Sequence, residues 1–346
     1  MLTVAPLIAA VFLAAADPGG AATLLEKGER LFREGDTAGA LAAFTEAAAA
    51  DPRDARPHYL KGVALEKKGD ATAAAAEYKR AIQLQPQMAE AHNNLGGILL
   101  ARGDAAGAAT ELDAAARAKP DYAEAYYNLG LARDAEGRPA DAVAAYKQAA
   151  RLKPTNASYR LNLGAALRKS GDLPGATAAL KEATRLAPTD PLAWADLGML
   201  LSDQKSYDEA GAALEKATKL KPDFALAWNR LGRVALKRGK VPDAVAAQER
   251  ARKLDPQSGV FAADLCRALF EQKEAGKAAG ACRAAVELEP KNPLGHYELM
   301  KVLVAKGECP AARVELSKFK GLPGVKPEAQ KQAEAIAATC GARDRK

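Results

Sequence analysis

Aromatic side chains make up only 5% of the 346 residues, and the chain holds just three histidines, two tryptophans and four cysteines. With so few aromatics, the sequence lacks the stacking platforms on which single-stranded nucleic acid is usually held. A net charge of +7 and a pI near 9.1 raise nucleic acid as a partner, but acidic residues are interspersed throughout, and DNA or RNA is not expected. Few histidines leave few groups for proton transfer near neutral pH. No serine, cysteine or carboxylate lies in a motif with a partnered base, and no glycine loop is built to cradle phosphate. The cysteine spacings match no close zinc motif. An enzyme is therefore not expected, nor a metal, a cofactor or a small-molecule substrate.

Lysine and arginine are absent from residues 1–16, which are mostly apolar and end in Ala14-Ala15-Ala16 before Asp17. An apolar segment closed by a small-x-small site predicts a signal peptide cleaved after Ala16, and hence an exported protein, periplasmic or secreted. The alternatives are a membrane anchor, although the segment falls short of the ~20 residues that span a bilayer, and an apolar tail on a cytosolic protein. No cysteine follows the segment, so lipid attachment there has no support.

What the sequence does have is a period. Pro52, Pro86, Pro120, Pro154, Pro188, Pro222, Pro256 and Pro290 stand 34 residues apart, a spacing that marks a repeat array. With each proline at position 32, units begin at residues 21, 55, 89, 123, 157, 191, 225, 259 and 293. Position 20 is alanine in every unit, from Ala40 to Ala312, position 27 is alanine from Ala47 to Ala285, and position 8 is glycine from Gly28 to Gly232. The first half of a unit reads as a helix with apolar residues at positions 7 and 11, such as Leu95 and Leu99. The second half is a helix with a bulky residue at position 24, such as Phe44 or Tyr146. Pairs such as Gly69-Asp70 turn the chain between them, and the proline ends the second helix. Small residues in the columns let antiparallel helices approach closely.

Runs such as AHNNLGGILLARGD and AWNRLGRVALKRGK, each followed by the alanine columns and the closing proline, resemble the tetratricopeptide repeat family over residues 21–326. The resemblance implies an all-α fold, a right-handed α-α superhelix of about nine helix-turn-helix repeats whose first helices line an inner surface that holds peptides or proteins. The ninth unit departs from the pattern at Met300 and Phe319, and its proline is displaced to Pro323. It reads as a modified end followed by a capping helix near 327–339, within a closing segment of residues 327–346.

Cys266 and Cys282 are equidistant from Glu274 in the turn of the eighth unit, and Cys309 and Cys340 are centred within the GLPGVKP connection. Residues equidistant from a turn face each other in a helix pair, so two disulfides are expected. The alternative for Cys266 and Cys282 is a pair of reduced thiols in the core.

The resemblance places positions 2, 5, 6, 9, 12 and 13 on the inner surface. Asn94, Asn128 and Asn162 share position 6, with Asn93 beside the first and Asp196 in the next unit. Stacked amides grip a peptide backbone through both donor and acceptor, or else order adjacent helices. Arg233, Arg267 and Lys301 share position 9, flanked by Arg230 and Lys237 on one helix face, with Arg168 and Lys169 earlier in the chain. Such a row suits carboxylates or other anions, or else is a solvated face neutralised by Asp264 and Glu298. Asn229 and Arg230 resemble part of the family's carboxylate clamp, but Asp264 stands where an asparagine belongs. The expected function is a non-enzymatic scaffold for a protein or extended peptide. The alternative is an envelope component that holds an anionic polymer through the basic C-terminal half. The histidines at position 4 share their column with Tyr126, Trp194 and Trp228, which points to packing.

Overall fold

The structure, a computed structural model, describes residues 20–340. The N-terminal segment read as a signal peptide lies outside the described residues. Among the described residues there are nineteen α-helices and no strand, and no helix is long and apolar enough to cross a membrane.

Two compact units meet in sequence at Thr155 and Asn156. The first contains α1 (Ala21–Glu34), α2 (Thr37–Ala50), α3 (Ala55–Lys67), α4 (Ala71–Leu84), α5 (Ala89–Ala101), α6 (Ala105–Ala118), α7 (Ala123–Ala135) and α8 (Pro139–Leu152). The second contains α9 (Ala157–Ser170), α10 (Leu173–Leu186), α11 (Pro191–Asp203), α12 (Tyr207–Leu220), α13 (Ala225–Lys237), α14 (Val241–Leu254), α15 (Gly259–Glu271), α16 (Ala275–Leu288), α17 (Pro293–Ala305), α18 (Cys309–Gly321) and α19 (Pro327–Ala338). Odd-numbered helices up to α17 are the first helices of repeats, and even-numbered helices are the second.

Local rules set each boundary. Asp54, Asn156, Asp190, Ser258 and Asn292 each accept a backbone N–H from the first turn of the following helix. Asp36, Asp70, Asp104 and Asp172 do the same for second helices. Between the helices of a repeat, one residue adopts a left-handed backbone: glycine in seven repeats, but Lys205 and Lys273, with φ of 63° and 66°, in the other two. The residue before a closing proline is extended, as at Asp51 (φ −132°, ψ 93°) before Pro52.

Within a repeat, glycine at position 8 lies under the side chain at position 24. A Cβ on Gly62 would stand 2.5 Å from the Tyr78 ring, and one on Gly130 would stand 2.4 Å from the Tyr146 ring. The alanines at position 20 are buried throughout, and those at position 27 likewise. In the eighth repeat the contact between positions 8 and 24 is a disulfide, Cys266–Cys282, with the two Cα atoms 5.2 Å apart. Cys309–Cys340, with Cα atoms 5.6 Å apart, joins the start of α18 to the residues just after α19. Both disulfides belong to one core with Met300, Phe319 and Ala333. In each unit the first helices also touch one another, α5 with α7 in one and α11, α13, α15 and α17 successively in the other.

Candidate partner-binding site

In the first unit, the asparagine ladder is one link in a hydrogen-bond chain that crosses four helices. Asn128 on α7 donates to Asn93 Oδ1 at 2.9 Å, and Asn93 on α5 donates to Asn94 Oδ1 at 3.2 Å. Asn94 donates to the Tyr78 hydroxyl on α4 at 3.2 Å, and that hydroxyl donates to Glu66 on α3. Burial pushes the Glu66 carboxyl up, and the hydrogen bond from Tyr78 acts against that. Tyr59, whose ring is tilted against that of Tyr78 with centroids 5.9 Å apart, is pushed up to about 12 by burial and by the Glu90 charge. Asn93 is buried, and its amide serves the stacking of helices. Asn94 and Asn128 are half-buried. Asn94 also hydrogen-bonds the Tyr59 hydroxyl, so what it has left over is one lone pair of Oδ1, whereas Asn128 keeps one N–H and its carbonyl oxygen.

Asn162 belongs to the second unit, where it donates to the Ser158 carbonyl at 3.0 Å within α9. Asn229, expected on the inner surface, is only 1% exposed. It donates both amide protons internally, to Gln248 Oε1 and to Asp264 Oδ2, each at 2.9 Å, while Gln248 donates back to its carbonyl at 3.0 Å. With both protons used and no exposed surface, Asn229 corrects the sequence expectation, because it ties α13 to α14 and α15. Gln248 holds position 24, where most repeats carry an apolar or aromatic side chain. Its polarity there is the signal that a buried network replaces ring packing.

The cationic residues divide. Arg267 donates to Glu298 Oε1 at 2.7 Å, and Lys301 donates to Glu298 Oε2 at 2.9 Å. Glu298 is 1% exposed, so both cations close over a buried carboxylate. Burial works against the Arg267 charge, but the Glu298 carboxylate outweighs it and holds the guanidinium above its ordinary value. Arg233 and Lys237 on α13 are exposed, and Arg230 is half-buried. Arg168 pairs with Asp203 at 3.3 Å. Burial pushes the Asp196 carboxyl up.

The position-4 column has a polar task that the packing reading missed. His92 and His296 donate from Nε2 to the carbonyls of Pro86 and Pro290 at 3.1 and 2.9 Å. Trp194 and Trp228 donate from Nε1 to those of Pro188 and Pro222, each at 3.0 Å. In these four repeats the residue at position 4 thus satisfies the carbonyl of the preceding closing proline. His58, His92 and His296 also face Glu77, Glu111 and Glu315 through Nδ1 at 2.7, 2.6 and 2.6 Å. Each histidine at position 4 has a glutamate at position 23 of its own repeat, and Trp194 and Trp228 have Ala213 and Ala247 there. That pairing was visible in the sequence as a covariation between two columns. No group of three or more metal-ligating side chains lies together among the described residues.

Repeated hairpins with these columns define a helical-repeat scaffold. The tetratricopeptide repeat model matches residues 25–89, 72–123, 95–157, 127–191 and 195–259, and the chain belongs to that family, whose members serve as scaffolds for protein–protein interaction. No curated protein matches the chain. Among solved structures, YrrB, described as a tetratricopeptide repeat protein with an unusual peptide-binding site, is 24% identical with a TM-score of 0.50, and the match covers 54% of this chain and 95% of that one. A tetratricopeptide repeat protein from Parabacteroides merdae is 16% identical with a TM-score of 0.58, covering 73% and 99%. A chain of the APC/C hetero-tetramer Cut9–Hcn1 is 20% identical with a TM-score of 0.56, covering 81% of this chain and 55% of that one. At these identities the likeness is one of fold.

Proposed function

We propose that the protein holds an extended peptide segment of a protein partner against the first helices of its repeats, in an oxidising compartment outside the cytoplasm. The observation that carries this reading is the amide chain of the first unit. Internal hydrogen bonds fix Asn94 and Asn128 in orientation, both stay half-exposed, and Asn128 keeps one N–H and its carbonyl oxygen while Asn94 keeps one lone pair of its Oδ1. A peptide backbone presents the complementary groups at every residue, so such a ladder binds extended chain with little regard for its sequence. Preorganised amides lower the ordering cost of binding. YrrB's described peptide-binding site is in keeping with this use of the fold. The two disulfides support the compartment, since such bonds persist where thiols are not kept reduced.

A peptide selected from a displayed random library should lose about tenfold or more in affinity when Asn94 and Asn128 are both changed to alanine, equivalent to about one hydrogen bond per residue. Lys147→Ala on α8, an exposed position on a second helix, should leave it unchanged. Equal binding by the double variant and the parent would rule the amide ladder out.

A further inference from the structure

The cations on α13, α15 and α17 differ in whether a carboxylate of the chain compensates them. Arg267 and Lys301 are compensated, because both converge on the buried Glu298 at 2.6 and 2.9 Å, and Arg267 also has Asp264 at 4.0 Å. One repeat earlier, Arg230, Arg233 and Lys237 stand at spacings of three and four on one face of α13. Among the described residues, none of the three has a carboxylate within 4.0 Å. Arg233 and Lys237 are exposed, and the Arg230 Nε is buried without a hydrogen-bond partner. The acids whose charge acts on Arg230 are already engaged: Asp264 is buried and accepts from Asn229, and Asp203 pairs with Arg168. Burial and the neighbouring Arg233 charge both depress the Arg230 guanidinium, the opposite of what Glu298 does for Arg267.

We propose, on the reading that first helices carry the partner, that the α13 face made by Arg230, Arg233 and Lys237 takes an acidic side chain of the bound peptide segment. A carboxylate would meet the guanidinium forks of Arg230 and Arg233, whose charges no carboxylate among the described residues compensates. The site suits a short acidic stretch better than a polymer. Of the cations on α13, α15 and α17 just named, only those on α13 are uncompensated, because Glu298 closes on α15 and α17 the run that a repeating polyanion needs.

The test is titration of the full chain with a fluorescent hexaglutamate peptide, acetylated and amidated at its ends. Hexaglutamate is expected to bind, hexaglutamine with a free C-terminal carboxylate is not, and binding should weaken as salt screens the charges. The Arg230→Gln/Arg233→Gln variant should lose about tenfold or more in affinity, since truncating one side of a close charge pair costs at least that much. Lys240→Gln/Arg250→Gln should bind like the parent. Arg233→Gln alone, at an exposed position, guards against misfolding of the double variant and should lose part of the affinity. Equal binding by parent and double variant overturns the proposal, as does no binding at all. Preference for the free C-terminus overturns it in favour of terminal carboxylate capture. Tighter binding of a polyuronate at equal charge concentration overturns it in favour of a polymer. The library-selected peptide and the Asn94/Asn128 variant are measured in parallel. Failure of hexaglutamate with that effect intact sinks the acidic site alone, and failure of the selected peptide sinks the broader reading.

Discussion

His92 presents both ring nitrogens to acceptors, Glu111 at 2.6 Å and the Pro86 carbonyl at 3.1 Å. Only the doubly protonated ring donates to both. The hydrogen bond to Glu111 raises its pKa, burial works in the other direction, and the net result lies above the ordinary histidine value. A folded-state pKa above the unfolded one means that the stabilisation is fully present below the unfolded value of about 6.5 and is lost as pH rises through the folded value. An NMR titration of the His92 ring should therefore show a midpoint above about 6.5, and the melting-temperature difference between parent and His92→Asn should shrink as pH rises through that midpoint. A midpoint below the free-histidine value would contradict the pairing. Glu77 and Glu315 have the opposite sign. Burial pushes each up, but hydrogen bonds from a lysine and a histidine outweigh it, so both lie below the ordinary carboxylate value. Their contribution is present above the unfolded carboxylate value and is lost as pH falls through the lowered one.

At the scale of the helical element, the close approach of first and second helices depends on glycine at position 8 fitting against the side chain at position 24. Tyr146 is fully buried, and its ring would stand 2.4 Å from a Cβ on Gly130. Alanine favours helix over glycine by about 1 kcal/mol, yet the ring has nowhere to move. Gly130→Ala should therefore be neutral at best and is expected to destabilise the protein by about 1–3 kcal/mol, the range for overpacking a filled core. Chemical denaturation would measure it, and a clear stabilisation would show that the helices can part. The columns made these contacts legible in the sequence, since small residues recurring every 34 positions mark backbone approach. The turns were legible where glycine and aspartate stand together. They were less so at Lys205 and Lys273, which adopt the left-handed backbone without the residue that usually signals it. Gln248 was missed because periodicity marks a position as buried but does not reveal that Asn229 and Asp264 meet it there.

Across the whole chain, the scaffold was far more readable than the site. Repeats impose their constraints 34 residues apart, so each contact is announced several times in the sequence. The cysteine pairs were readable for a related reason, because symmetry about a turn predicts which residues meet, and the structure joins Cys266 to Cys282 and Cys309 to Cys340. The candidate site residues have no such redundancy. Asn93, Asn94 and Asn128 look equivalent as letters, yet Asn93 is buried within the chain of amides while Asn94 and Asn128 are half-buried and keep unused acceptor or donor groups. Arg233 and Arg267 share a column, yet only the second is closed by a carboxylate one repeat further on. Side-chain compensation is a three-dimensional property, and the choice between a binding row and a solvated one turns on it. Whether first helices carry the partner is decided by the NMR footprint of a library-selected peptide on the isotopically labelled full chain. Shifts concentrated on first helices, with Asn94 and Asn128 side-chain amides among those that move, are the predicted result. Shifts confined to the second helices, with those amides unmoved, would contradict it.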